Sequence, residues 1–492
     1  MFTRNKGNVG TYREEPGWDV ADQWGGAGRC YWIEEALEAE GPVESQRLEE
    51  PMSADVAIVG GGFTGLWTAI ELKDRDPNLE VVVLEANICG AGASGRNGGM
   101  ALNYWSKIGG LAARIGKERA VWLADQSNDA IGELDTITRK HGLDIHFKRA
   151  GWVWTATSES QLDSWMPTID SLKPYGREMY RVLDSEELFK YTQSEIHLAG
   201  VIDETAATVQ PARLARALRT IALEKGVKVF EHSAVIKHDR DTGLLRTRLG
   251  SVRAPSVVLA TNAWLSGMPE LRRATVLVGS DVAVTSPLDP KGELAKSDFN
   301  SGVAVTNGRL TIRSGRTTAD GRIMYGHSGG GLSYKNRFAQ KFIDDKEHAA
   351  INLREFKRFH PRAGDVKVTH TWSGAVDRSY DGLPFLGELP GRSKTYYITG
   401  ISGNGVGPCR MFGKMLASMV QQKQDEWTDC GLVQGVTIKY PPAPITYVGG
   451  SLVLSSVNKV EDAQEEGRKP NPVDKFWTRF TPQFSYKTKD LG

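Results

Sequence analysis

Short apolar runs alternate with stretches of helical period along the chain, and together they predict its main elements. Residues 55–59 (Asp55-Val56-Ala57-Ile58-Val59) read as a buried strand, 63–74 have helical composition, and Val81-Val82-Val83-Leu84 reads as a second buried strand after the turn at Pro77-Asn78. Strand, helix and strand in that order make a βαβ unit. Further on, Pro211 opens a helix with Leu214, Leu218 and Ile221 on one face, Gly226 closes it, and strands follow at 227–230 and 256–259. A strand at 396–399 and a helix over 410–420, with Met411, Met415, Leu416 and Met419 on its apolar face, complete the series. The expectation is an α/β fold whose sheet domain is discontinuous, assembled from 54–101, 201–270 and 365–430, with a second domain formed by 102–200 and 271–364. Residues 1–53 show no sustained period and read as a lead-in packed on the body. Beyond Cys430, the run Pro441-Pro442-Ala443-Pro444 and the charged stretch from Glu461 to Pro470 predict that 431–492 lies along the surface as an extended arm.

Composition narrows the class without changing that picture. With 492 residues the chain is long enough for two or three domains, and 40% hydrophobic with 25% charged residues is ordinary for a globular protein. The 61 basic and 60 acidic residues leave a net charge of +1, so no global field draws the chain to nucleic acid or an anionic membrane, and a small-molecule partner is expected. Neither a signal-peptide pattern nor an apolar window long enough to span a bilayer is found. Cys30, Cys89, Cys409 and Cys430 are widely spaced and form no metal-ligand pattern, which favours a reduced, cytoplasmic setting with no metal.

The first chemical signal lies inside the βαβ unit. Gly60, Gly62 and Gly65 stand in G-x-G-x-x-G spacing between strand and helix, and Glu85 closes the second strand. The first glycine permits the tight turn, the second lets backbone approach a pyrophosphate, and the third lets helix and strand pack closely. The helix N-terminus, entered through Phe63 and Thr64, stabilises the phosphate charge. Glu85, followed by Ala86, is placed to accept from a ribose diol, and its charge argues against a 2′-phosphate. This fingerprint alone leaves FAD and NAD open. The small-residue loop that follows, Ala93-Ser94-Gly95-Arg96-Asn97-Gly98-Gly99, can line a pyrophosphate and then a flat ring, which points to FAD.

On these stretches the sequence resembles the D-amino-acid-oxidase-like (glutathione-reductase-2 type) FAD-dependent oxidoreductases, nearest the branch of γ-glutamylputrescine, sarcosine and glycine oxidases. The likeness extends through Val209-Gln210-Pro211-Ala212-Arg213-Leu214, the run from Val257 to Trp264, the segment from Arg316 to Arg322, Trp372-Ser373-Gly374, the run from Asp381 to Gly387, and Gly400-Ile401-Ser402-Gly403-Asn404-Gly405-Val406. It implies a Rossmann-like FAD-binding domain and an α+β substrate domain whose antiparallel sheet roofs the flavin. Val235, Ala260 and Thr261 join the cofactor contacts, and Gly403, Asn404, Gly405 and Val406 approach the ring.

The implied reaction is oxidation of a small amine by hydride transfer to the flavin, with dioxygen or another acceptor regenerating the cofactor. No cysteine follows Trp372 at the position that tethers flavin in sarcosine oxidases, and 94–99 contain no histidine, so FAD is expected to be non-covalent. Arg316, with Arg313 as fallback, is expected to take a substrate carboxylate. His327 is a candidate for holding substrate or a proton, or else is a histidine satisfied by local backbone. Trp372 is a candidate wall of the amine pocket, or else a core residue. Asn404, where relatives often carry histidine, offers a hydrogen bond to a ring carbonyl or to substrate. Cys89 and Cys409 read as small packing residues. Two rival classes stay open. A pyridine-nucleotide dehydrogenase shares the first fingerprint but has no need of 95–99 or 403–405, and a structural flavoprotein or FAD-binding subunit has the cofactor site without its own amine oxidation.

Overall fold

The strand Val56–Val59 is buried at every position, as a strand covered on both faces must be, and it lies at the centre of a six-stranded sheet. A computed structural model describes residues 30–339, 342–364, 366–391 and 393–481. The sheet runs in the order Phe385–Leu389, Lys394–Thr399, Ser256–Leu259, Val56–Val59, Val81–Leu84, Lys228–Phe230, and all neighbours are parallel except the outermost pair, Phe385–Leu389 with Lys394–Thr399. Alternation along Val56–Val59 divides the core. Val56 and Ile58 pack with Leu66, Ile70, Leu214, Leu218 and Phe412 from three helices, Phe63–Arg75, Pro211–Glu224 and Cys409–Val420. Ala57 and Val59 face a second cluster with Leu245 and Val252, supplied by a four-stranded sheet on the opposite side.

A separate eight-stranded sheet runs in the order Val368–Ser379, Thr275–Thr285, Ile323–Leu332, Arg313–Thr317, Ala304–Asn307, Trp152–Ala156, Ala199–Asp203, Arg181–Leu183. It is antiparallel apart from the parallel pairing of Ala304–Asn307 with Trp152–Ala156. Two faces therefore exist. Met324, Gly326 and Ser328 share one with Val282, Ser280 and Ser314, while Tyr325 and His327 share the other with Asp281, Arg313 and Gly315.

Three sequence expectations change here. Val368–Ser379 lies in the span 365–430 assigned to the dinucleotide-binding sheet, yet it pairs along most of its length with Thr275–Thr285 and belongs to the eight-stranded sheet. The lead-in contains a helix, Tyr31–Glu40, whose Trp32 and Ala36 are buried, while Glu35 pairs with Arg213 and Glu40 with Arg216. So short an apolar face leaves little periodic signal, because tertiary contacts rather than pattern hold the helix. Beyond Tyr440 the chain is not an extended arm but folds into the helices Ala443–Glu465 and Pro472–Thr478. Val453, Val457 and Val460 bury one stripe, and Pro444 sits in the first turn, where its missing N–H costs nothing. Residues 1–29 of the lead-in and 482–492 of the tail lie outside the described residues. Among the described residues no helix is long and apolar enough to cross a membrane.

Candidate active site

The glycine turn after Val56–Val59 is shaped by contacts that no side chain tolerates. Gly60 has φ +111°, and a β-carbon there would lie 2.8 Å from the Ala260 carbonyl oxygen. At Gly65 it would lie 2.0 Å from the Gly60 oxygen, so helix and turn touch backbone to backbone. Gly62 is the N-cap of Phe63–Arg75 and brings no capping side chain, while Ser94 Oγ accepts from the Phe63 N–H at 2.9 Å. Glu85 accepts from the Gly61 and Asn87 N–H groups at 2.7 and 2.9 Å, and desolvation pushes its carboxyl up from the ordinary value.

A cavity of 2340 Å³ opens from this turn and extends between the two main sheets. Gly60, Gly62, Phe63, Thr64, Glu85 and Ala86 line it, as do Ala93, Ser94, Arg96, Asn97 and Gly98. Val235, Ala260 and Thr261 join the wall, and Gly403, Asn404, Gly405 and Val406 lie on it as well. Gly65, Gly95 and Gly99 do not line the cavity. They are spacers, since a β-carbon would lie 2.0 Å from Gly60 O, 2.3 Å from Gly90 O and 2.2 Å from Val209 O respectively.

Three of the four residues expected to do chemistry need correction. Arg316 is buried behind Gly99, donates to the Val209 carbonyl at 2.6 Å, and stacks over the Trp32 ring with 5.0 Å to the centroid. It lies off the cavity and cannot reach a substrate carboxylate there. Arg313, the fallback, is on the opposite face of its strand, donates to the Thr311 carbonyl, and is likewise not part of the wall. Trp372 packs with Trp32, Val282 and Met324, and its Nε1 donates to the Arg96 carbonyl at 2.8 Å. It is a core residue that fixes the loop, not a pocket wall. His327 borders the cavity, but strand alternation sets its side chain with Tyr325 and Asp281 on the face turned away from Met324, Gly326 and Ser328.

Asn404 stands differently. The turn that carries it passes through φ +80° at Gly400, +58° at Ser402 and +82° at Gly403, and it enters Cys409–Val420 without a side-chain cap. Asn404 Oδ1 is out of solvent and has no hydrogen-bond partner among the described residues. Below the turn Asp377 accepts from the Gly400 N–H at 2.5 Å, and burial pushes its carboxyl up to about 6. Burial likewise pushes the Cys409 thiol up to about 12 and the Cys89 thiol upward, which leaves both as inert packing groups.

Among the wall residues that sequence reasoning missed, four bear on the chemistry. Trp152 and Trp154 lie nearly parallel, with ring centroids 5.7 Å apart, and the Trp152 indole N–H donates to Thr306 Oγ1 at 2.8 Å. The alternating Trp-x-Trp of an apolar strand was the available signal. Lys107 is 9% exposed, donates to the Gly382 carbonyl at 2.9 Å, and its ammonium is pushed down to about 8, chiefly by burial. Asp377 had no signal beyond its place in a strand.

The pattern of the FAD dependent oxidoreductase family (DAO) matches residues 55–419. The chain belongs to this family. Among DAO relatives, the γ-glutamylputrescine oxidoreductase of Escherichia coli (strain K12) is 29% identical over 378 residues, covering 76% of this chain and 85% of the relative. A probable oxidoreductase, OrdL, of Haemophilus influenzae is 27% identical over 376 residues, covering 75% and 83%. The crystal structure of glycine oxidase from Geobacillus kaustophilus has the same fold, with a TM-score of 0.61 at 22% identity over 76% of this chain and 96% of that one. FAD is the DAO cofactor, and the residues present fit it. The helix start, whose N-cap Gly62 brings no side chain, offers backbone N–H groups to a pyrophosphate, and Thr261 Oγ1 and Asn262 Oδ1 are buried atoms of wall residues that lack partners among the described residues.

Proposed function

We propose that this DAO protein oxidises a primary or secondary amine, an amino acid, N-alkyl amino acid or similar small amine, to the imine, with dioxygen or another acceptor taking the electrons onward. FAD, when bound, supplies the ring that accepts hydride. The observation that carries the reading is Asn404 Oδ1, a desolvated acceptor without a donor among the described residues, set in the cavity wall. Such an oxygen suits the N–H of a neutral amine and fixes its orientation. Trp152 and Trp154 offer a flat apolar surface to the carbon skeleton, and Ser280, Ser314 and Ser328 present small side chains on the face of the sheet turned to the cavity. Lys107 Nζ, with its affinity for protons lowered by burial, can in its neutral form take the proton that an ammonium substrate must lose. The names of the γ-glutamylputrescine and glycine-oxidising relatives support the amine class. The four cysteines, all free and buried, support a reducing, cytoplasmic setting.

The test is flavin bleaching under nitrogen across N-alkyl amino acids, polyamine derivatives and aminophosphonates, repeated with Asn404→Ala. The expected result is bleaching by at least one amine, with the variant slowing reduction more than it weakens binding. Bleaching by dithionite but by no amine overturns the reading in favour of a structural flavoprotein, and bleaching by reduced pyridine nucleotide alone points to the dehydrogenase class.

A further inference from the structure

The helix Ala443–Glu465 lies beyond residue 419, where the family match ends, and its last turn carries an acidic run that closes on the cavity wall. Arg309 lies in the turn between Ala304–Asn307 and Arg313–Thr317, and its side chain has no solvent exposure. Nε is 3.1 Å from Glu461, Nη2 is 2.7 Å from Asp462, and Nη1 is 2.9 Å from Glu465. Glu461 also accepts from the Leu310 N–H and the Thr311 hydroxyl, each at 2.6 Å. Glu465 accepts from Thr157 Oγ1 at 2.7 Å, from Asn307 Nδ2 at 3.3 Å and from Arg358 Nη1 at 2.8 Å. Glu461 and Glu465 are four residues apart and so share one face of the helix. A buried guanidinium is tolerated only when its charge and its donors are matched, and here all three matching carboxylates come from one helix. The turn they hold is cavity wall, through Asn307, Gly308, Arg309, Leu310 and Ile312. At the other end of the same helix, Pro442 and Ala443 touch the same cavity.

We propose that the helix Ala443–Glu465 is a clamp on the substrate cavity: Glu461, Asp462 and Glu465 are positioning residues that hold Arg309 and the turn 307–311 in the shape that selects which amine enters. The selection of an amine rests on the proposed function, whereas the holding of the turn does not. The charges of Glu461 and Glu465 are structural, directed inward rather than to solvent, while Asp462 meets Arg309 from a half-exposed position.

The experiment uses the full-length holoprotein with Glu461→Gln, Glu465→Gln and the pair together. Amide hydrogen exchange of 307–312 should rise roughly tenfold or more, because the turn loses the acceptors that anchor it. FAD content should stay at the wild-type level. KM for the best amine should rise about tenfold with kcat changed by less than about threefold, and the preference between a short and a long amine should shift, as expected for lost positioning rather than lost chemistry. Wild-type exchange in 307–312 together with an unchanged preference overturns the proposal. Should the double variant fail to fold, Asp462→Asn, which alters a half-exposed partner, and Arg309→Lys, which keeps the charge but loses the fork, must each raise exchange in the turn at least about threefold, or the clamp is refuted. If the wild type oxidises no amine, the proposed function fails and hydrogen exchange alone decides the clamp.

Discussion

Gly65→Ala tests the geometry of the dinucleotide turn directly. The added β-carbon would lie 2.0 Å from the Gly60 carbonyl oxygen and 3.2 Å from Ile58 Cγ2, so no flexible side chain is available to absorb the nearest contact. Restoring ordinary van der Waals distance requires moving the helix start from the turn by roughly 1 Å, and forced overpacking of this kind costs about 1–3 kcal/mol. That displacement carries the N–H groups of Phe63–Arg75 away from the pyrophosphate position. If that cost falls on the bound geometry, FAD affinity should fall about 5- to 150-fold at 1.4 kcal/mol per decade. Gly62→Ala is the graded comparison. Its β-carbon meets Ser94 Oγ at 2.8 Å, a side-chain atom that can rotate away, and the loss is the hydrogen bond from the Phe63 N–H, worth about 1 kcal/mol. Titrating apoprotein with FAD, read by quenching of flavin fluorescence, gives both dissociation constants, and urea unfolding gives both stabilities. A Gly65→Ala protein that binds FAD within about twofold of wild type would refute the reasoning, since overpacking at backbone contact leaves no such margin.

Three further outcomes follow from the site. Arg316→Met should leave KM for every anionic amine unchanged, since its guanidinium serves the Val209 carbonyl and not the cavity; a tenfold rise in KM would return Arg316 to the pocket. Asp377 has its folded-state pKa raised to about 6 from 3.8, so its contribution to stability is fully present below pH 3.8 and is lost as pH rises through 6, by about 3 kcal/mol; Asp377→Asn should remove that slope from urea midpoints measured between pH 4 and 8, and an unchanged slope would contradict the assignment. Acid precipitation should release all yellow colour into the supernatant, since the Cys89 and Cys409 thiols are buried and held protonated; colour kept in the washed pellet would reveal a covalent anchor.

The glycine turn was legible because its geometry is set locally. The tight turn at Gly60 and the close helix contact at Gly65 are requirements that a handful of consecutive residues must meet, so spacing alone locates them. The buried strands at 56–59 and 81–84 and the helix at 409–420 also announced themselves, since each carries its burial in its own composition. The substrate side obeys a different logic. Which face of Ile323–Leu332 meets the cavity depends on its register with Thr275–Thr285, and a shift of one residue would exchange His327 for Ser328. No property of the histidine itself records that choice. Arg316 sits on the correct face of its strand yet is taken up by Val209, Trp32 and Gly99, partners that come from three distant stretches of chain.

The tail shows how the same residues support opposite readings until their partners are known. A run such as Glu461-Asp462-Ala463-Gln464-Glu465-Glu466 is most often solvated, and proline at 441, 442 and 444 suggests extended backbone. Both features fit a helix equally well if the prolines precede or occupy the first turn and if the acids meet a cation, and the structure satisfies both conditions. What decides between them is Arg309, more than 150 residues upstream, which the sequence presents as an ordinary turn arginine. Its burial makes the carboxylates obligatory: with them the guanidinium is matched, and without them a charge is left inside the protein at a cost of about 3–5 kcal/mol. The clamp therefore follows from the cation rather than from the acidic run, and a search for comparable devices should start from buried arginines in cavity-lining turns and ask what neutralises them.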